Sequence, residues 1–255
     1  MSKITLSEDI KRIKKSGQIL ASVIERLRTL VAPGIKTRFL DEVAESIIKE
    51  HGAKPAFKGY RGYPASICVS INDEVVHGIP GERTMKEGDL VSIDIGVVYE
   101  GFYVDAAFSV VVGNSNPRAL RLIEVTRKAL FAGISNALPG KRIGDISWSI
   151  QRTVEKAGFS VVRDFVGHGV GTALHEEPQI PNLGKRKKGP VIEEGMVLAI
   201  EPMVNEKSYK VRILEDGWTV VTVDGGLSAH FEHTVMVTKN GPEILTVIKR
   251  GDEAG

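Results

Sequence analysis

The chain has 255 residues, is 42% hydrophobic and 26% charged, and carries 34 Lys+Arg against 32 Asp+Glu for a formal charge of +2. This is the composition of a globular protein, and so small a net charge excludes a strong overall pull toward nucleic acid or a membrane surface. The single cysteine, Cys68, excludes an intramolecular disulfide framework and a Cys-rich zinc site.

The N-terminal stretch MSKITLSEDIKRIKK has no apolar run of signal-peptide length, and no later run approaches a membrane span. The expected location is therefore the cytoplasm. Ile10, Ile13, Leu20, Val23, Leu27 and Leu30 recur at helical spacing from Ser7, the expected N-cap, and Pro33-Gly34 stops the run. A second helix is expected from about Thr37 to Gly52. Residues 55–89 read as a Gly/Pro-punctuated connection with a short strand around Ser66–Ile71.

From Leu90 to Val112 the chain reads LVSIDIGVVYEGFYVDAAFSVVV, two apolar strands folded back on each other near Tyr99-Glu100-Gly101. Each strand carries one aspartate, Asp94 and Asp105. A two-residue turn at Tyr99-Glu100 would set them directly opposite each other, where like charges repel. A buried pair of this kind needs a cation or a shared proton.

Asn116-Pro117 predicts the start of a third helix, with proline at its first position and Pro139-Gly140 as its stop. A fourth helix is expected from about Asp145 to Gly158. The remainder reads as strands and loops, including VLAIEPMV, WTVVTV and FEHTVMVT.

The order repeats itself. Pro33-Gly34 and Pro139-Gly140 lie 106 residues apart, as do Gly52 and Gly158, and EGDLVSID at Glu87–Asp94 matches EGMVLAIE at Glu194–Glu201. The second match aligns Glu201 with Asp94, and Phe231-Glu232, expected in a strand, resembles Val104-Asp105. One domain spanning 1–255 is expected, with pseudo-symmetric halves of about 7–113 and 114–246, each supplying two carboxylates. Two divalent cations would balance four such charges, and oxygen-rich ligation with an imidazole suits Mn²⁺, Fe²⁺ or Co²⁺ without excluding Zn²⁺.

Six histidines supply the imidazole candidates. His51 reads as an exposed residue at a helix end. His168 lies between glycines in VGHGVG, which permit close approach, so it is open as either a ligand or a structural residue. His77 in HGIP and His175 in HEEP share an H-x-x-P pattern, with solvated loop histidines as the plainer reading. Strand alternation puts His230 on the face of Glu232 and His233 on the other. Glu176-Glu177 and the run Lys185–Lys188 read first as solvated loop charges. A weak docking patch for an acidic partner or ribosomal RNA is the sharper alternative for the basic run.

Asp94, a second aspartate eleven residues on, HGVGTALHEEP, AIEPM and FEHTVMVT together resemble the type I methionine aminopeptidases of the pita-bread fold, over nearly the whole chain to about Thr246. The resemblance implies an α+β fold with a curved, mostly antiparallel sheet covered by helices. It further implies an exopeptidase that removes the N-terminal methionine of nascent chains when residue two is small, through a metal-bridged hydroxide. Asp105 and Glu232 would bridge two ions, Asp94 would chelate one, and His168 and Glu201 would bind the other. Glu201 would also shuttle protons, His175 would stabilise the oxyanion and His77 would contact the scissile amide. The methionine pocket would fall on Phe57, Tyr60, Tyr63, Cys68, Leu174 and Trp218, and a Na⁺ or K⁺ site near Asn72, Glu74 and Ser228. A monomer without DNA or membrane partners is implied.

Leu174 stands where the family commonly has an aromatic, Phe57 where a smaller residue is frequent, and His230 where glutamine is frequent. A prolidase or proline-specific aminopeptidase of the same fold would use the same five ligands, and a non-catalytic binding protein on this fold would be expected to have lost some of them.

Overall fold

The computed structural model of the chain describes residues 3–113 and 116–248. Its elements begin with helices α1 (Ser7–Leu30) and α2 (Thr37–Glu50), then strands β1 (Lys54–Pro55), β2 (Ile67–Ile71), β3 (Glu74–Val76), β4 (Leu90–Tyr99) and β5 (Phe102–Val111). Helices α3 (Pro117–Ile134) and α4 (Ile143–Lys156) follow, then β6 (Ser160–Val161), β7 (Gly167–Gly169), β8 (Glu176–Ile180), β9 (Val197–Ile200) and β10 (Met203–Asn205). The chain continues through β11 (Val211–Ile213), β12 (Val220–Thr222), β13 (Ser228–His230), β14 (His233–Thr238) and β15 (Gly241–Ile244).

The helices bury the stripes that their spacing predicts: Ile13, Leu20, Val23 and Leu27 on α1, and Leu122, Ala129 and Leu130 on α3. Asn116 caps α3 through its side-chain oxygen, which accepts from the Ala119 N–H at 3.3 Å, and Pro117 follows it. Ser7 is not the cap of α1. Leu6 holds that position with no side-chain bond, and Glu8 and Asp9 in the first turn face the positive end of the helix dipole instead.

Every strand pair is antiparallel. In the first part of the chain β4 lies between β5 and β2; in the second, β9 lies between β14 and β7. Gly34 and Gly140 sit at φ +87° and +85°, Gly52 and Gly158 at +71° and +84°, so the paired helix stops share one backbone solution. The β5 and β14 regions are stitched together across the middle. Glu232 N–H donates to the Ala107 carbonyl at 2.9 Å and Ala107 N–H returns a bond to the Glu232 carbonyl at 3.3 Å.

The hairpin turn is Glu100-Gly101, not Tyr99-Glu100. Glu100 and Gly101 have φ +47° and +85°, as a two-residue type I′ turn requires, and this keeps the bulky Tyr99 out of the left-handed region. Tyr99 therefore pairs with Phe102, Asp94 faces Ala107, and Asp105 faces Gly96. The aspartates share a face as diagonal neighbours, separated by roughly 7–8 Å along the backbone instead of opposing each other directly.

Two further expectations change. VLAIEPMV is two strands interrupted at Glu201-Pro202, and Phe231-Glu232 lies in the break between β13 and β14. Each interruption places a glutamate between two strands, and both glutamates line the same cavity. Glu176 and Glu177 are not loop charges but begin β8, where one Glu176 carboxylate oxygen accepts from the Thr172 N–H at 2.8 Å, the Thr172 hydroxyl at 2.9 Å and the Ala173 N–H at 3.0 Å. Lys185–Lys188 is exposed as expected, with the Arg186 guanidinium lying 4.9 Å from the centre of the Trp148 ring.

Candidate active site

A cavity of ≈ 290 Å³ opens where the hairpin, β7, the β9–β10 break and the β13–β14 break meet. Its floor is Asp94, Asp105, His168, Glu201 and Glu232; its walls include Phe57, Tyr60, Tyr63, Cys68, His77, Leu174, His175 and Trp218. All five expected ligands and the whole expected methionine pocket thus line one space. Phe165, Arg61, Val76, Val166 and Met203 line it too and were not expected. Phe165 meets His77 edge-on at 5.6 Å between ring centres, but nothing in SVVRDFVGHG distinguishes it from a core phenylalanine.

Local structure aims each group. Cys68 on β2 pairs directly with Asp94 on β4, so thiol and carboxylate share a face. The Thr234 hydroxyl donates to the Asp105 carbonyl at 2.7 Å, accepts from its N–H at 3.0 Å and lies 3.3 Å from Oδ1, fixing the aspartate from β14. Asp105, His168 and Glu232 each present one donor atom within 4.8 Å of the others, and all three are buried. His168 Nε2 lies 3.4 Å from Asp105 Oδ2 and 3.5 Å from Glu201 Oε1.

So many carboxylates in one place demand positive charge. Burial pushes Asp94 up to about 7, an effect that neighbouring Asp105 and Glu201 reinforce and His230 opposes. Burial, with Asp105 and Glu201 close by, likewise raises Glu232 well above the usual carboxylate range. Burial alone would lower His168, but the Asp105 and Glu201 carboxylates outweigh it and lift the imidazole to about 9. All three shifts favour the protonated forms and so lower the negative charge of the cluster, and the Asp94 Oδ1 atom is buried with no hydrogen-bond partner. Carboxylate oxygens, one imidazole and an orphaned acceptor are a donor set that fits divalent cations.

The other two cavity histidines behave oppositely. Burial, then neighbouring His230, holds His77 down to about 4; burial, then neighbouring His168, does the same to His175. Both are neutral at pH 7. His175 stands at the solvent-exposed rim with Nδ1 2.8 Å from the Tyr60 hydroxyl, which leaves Nε2 free for another partner. Burial also raises the Cys68 thiol, so it stays neutral as part of the apolar wall.

His51 is exposed at the end of α2. His233 points away from the cavity, with Nδ1 2.8 Å from the Thr246 hydroxyl and its ring against Phe131. Asn72 and Ser228 adjoin, the Ser228 N–H donating to the Asn72 carbonyl at 2.8 Å, whereas the Glu74 carboxylate is already engaged by Arg83 and by the Ile71 N–H at 2.7 Å.

A family model described as metallopeptidase family M24 matches residues 11–239. The chain belongs to that family. A methionine aminopeptidase of Clostridium perfringens is 54% identical over 241 residues, which is 94% of this chain and 97% of the relative. The crystal structure of methionine aminopeptidase from Thermotoga maritima superposes with a TM-score of 0.95 at 49% identity, covering 97% of this chain and all of that one. The prolidase from Pyrococcus furiosus shares the fold more distantly, with a TM-score of 0.79 at 25% identity, and this chain spans only 66% of its length. The molecule is therefore a metallopeptidase with the pita-bread fold, and the methionine aminopeptidases above resemble it over nearly its whole length.

Proposed function

We propose that the chain removes the N-terminal methionine from peptides and nascent proteins in the cytoplasm, preferring a small second residue. One catalytic unit, 1–255, would hold two divalent ions on Asp94, Asp105, His168, Glu201 and Glu232. The observation that carries this is the union of those five residues with an apolar wall of Phe57, Tyr63, Cys68, Leu174 and Trp218 in one cavity. When bound, the ions would lower the pKa of water toward roughly 7 and polarise a carbonyl.

The chain's own groups divide the remaining work. His175, neutral and oriented by Tyr60, donates to the developing oxyanion, a contribution worth about 2.7–4 kcal/mol for a well-placed donor. His77 hydrogen-bonds beside the scissile amide, and Glu201 carries the proton from water to the leaving amine. The methionine thioether packs against the aromatic wall, where sulfur–ring contacts add roughly 0.3–1.5 kcal/mol. A volume of ≈ 290 Å³ is at the small end for a ligand site, which supports a small residue after the methionine.

The test is peptide cleavage by chelator-stripped protein supplied in turn with Mn²⁺, Fe²⁺, Co²⁺ or Zn²⁺. Metal-dependent release of methionine from Met-Ala-Ser is expected, with no cleavage of an Ala-Pro dipeptide. Absence of methionine release would refute the proposal, and Ala-Pro cleavage would move the chain to the prolidases.

A further inference from the structure

His230 is the one site histidine that the proposed mechanism does not use. Its side chain is 2% exposed, and its Nε2 atom is buried with no hydrogen-bond partner. The backbone on either side fixes its position: the Ser109 hydroxyl accepts from the His230 N–H at 2.9 Å and donates to its carbonyl at 2.8 Å. That leaves Nε2 3.6 Å from Glu201 Oε2. Asn182 holds the same glutamate from the other end, its side-chain N–H donating to the Glu201 carbonyl at 3.2 Å.

A buried imidazole nitrogen without a partner is costly, and here it is aimed at a carboxylate whose other oxygen faces His168. The five expected ligands all line the cavity, and His230 does not. Its Nε2 approaches Glu201 through Oε2, the oxygen opposite the one that faces His168. We infer that His230 is a positioning residue: in the tautomer protonated at Nε2 it donates to Glu201 Oε2 and fixes the carboxylate in the rotamer that presents Oε1 to the metal. Ligating carboxylates are commonly held by hydrogen bonds of this kind, and losing one typically costs about 10–100-fold in metal affinity.

The inference rests on the two-metal reading, and calorimetric titration of the metal-free protein with Mn²⁺ separates the two. Failure of the parent chain to bind Mn²⁺ would refute both. With parent binding intact, three variants decide the role of His230. In His230→Gln the side-chain amide nitrogen takes the place of Nε2; in His230→Asn it falls short, at the place of Nδ1; His230→Leu has no donor. The expected result is affinity within about threefold of the parent for His230→Gln and a loss of about tenfold or more for His230→Asn and His230→Leu, with metal-free thermal midpoints unchanged between the two amides.

Equal affinity in all variants would overturn the inference, as would losses that track the metal-free thermal midpoint, the mark of a packing role. The Co²⁺ absorption spectrum adds a second arm that does not depend on the leucine variant folding. It should be preserved in His230→Gln; loss of a nitrogen-ligand band there would make His230 a ligand and overturn the positioning role.

Discussion

The two parts of the molecule supply carboxylates to the same cavity by different means. In the first, Asp94 and Asp105 sit on uninterrupted ten-residue strands joined by a two-residue turn, and short side chains suffice because the ladder itself places them. In the second, the matching strands are broken at Glu201-Pro202 and at Phe231-Glu232, and the longer glutamates reach in from the breaks. The flanking strands differ as well. Ser92 on β4 faces Ser70, whereas Ala199, which lies 107 residues later, faces His168. A framework with corresponding strands and helix stops thus becomes asymmetric through one imidazole and two strand breaks, which makes the two proposed ion positions inequivalent.

The largest expected effect falls on the residue proposed to join both positions. Asp105→Asn should abolish binding of two ions, with metal affinity falling by more than about 100-fold, beyond what losing an outer partner costs. Retained activity with two ions per chain would show that the hairpin does not bridge. Next, His175→Ala should lower kcat by about 10²–10³-fold while leaving Mn²⁺ affinity unchanged. A fall in affinity with kcat preserved would make the second half's loop histidine a ligand, deepening the asymmetry.

A subtler effect concerns pH. Asp94, up at about 7 from 3.8, and Glu232, also raised, hold protons more tightly in the fold than in the unfolded chain. The Asp94 contribution is complete below pH about 4 and is lost as pH rises toward 7, and that of Glu232 is likewise lost as pH rises through its own raised value. His168, raised to about 9 from 6.5, loses its contribution over that higher interval. His77, His175 and His233, each lowered to about 4, add stability as pH rises to 6.5 and oppose this trend below that pH. Scanning calorimetry of the metal-free protein should therefore show the thermal midpoint falling from pH 6.5 to pH 8 by about 4 °C or more, since 1 kcal/mol moves a domain of this size by roughly 2–4 °C. Saturating Mn²⁺ should remove most of that fall, and an unchanged midpoint in metal-free protein would argue against a charge-starved cluster.

The smallest effect tests the shared framework. Gly34 and Gly140 both have left-handed backbone, and a β-carbon added at either would meet nothing within 4 Å. Gly34→Ala and Gly140→Ala should each cost about 1 kcal/mol in denaturant unfolding, from backbone strain alone. A large difference between them would mean that the two helix stops are not equivalent.

Much of this was readable from the residues. Glycines after proline and at helix ends marked the stops, because positive φ is a local demand that few residues meet. The four carboxylates of the floor were legible because acids within apolar runs are expensive and need a reason, whereas His168 is open as ligand or structural residue until the family motifs are matched. The register of the hairpin was not, since it depended on whether Tyr99 or Gly101 would occupy the turn. The breaks at Glu201 and Glu232 were hidden for a related reason: a β-rich run looks continuous until its neighbours show where the ladder stops. Phe165 and the partnerless Nε2 of His230 are products of tertiary packing and leave no local signal.

The central claim is that both halves feed one two-ion site, and calorimetric titration of the metal-free chain with Mn²⁺ at neutral pH tests it most directly. The account predicts two ions per chain with distinct affinities, both weakened by either Asp105→Asn or Glu232→Gln, one carboxylate from each half. A single ion per chain at saturation, or two ions each sensitive to only one half's carboxylate, would contradict it.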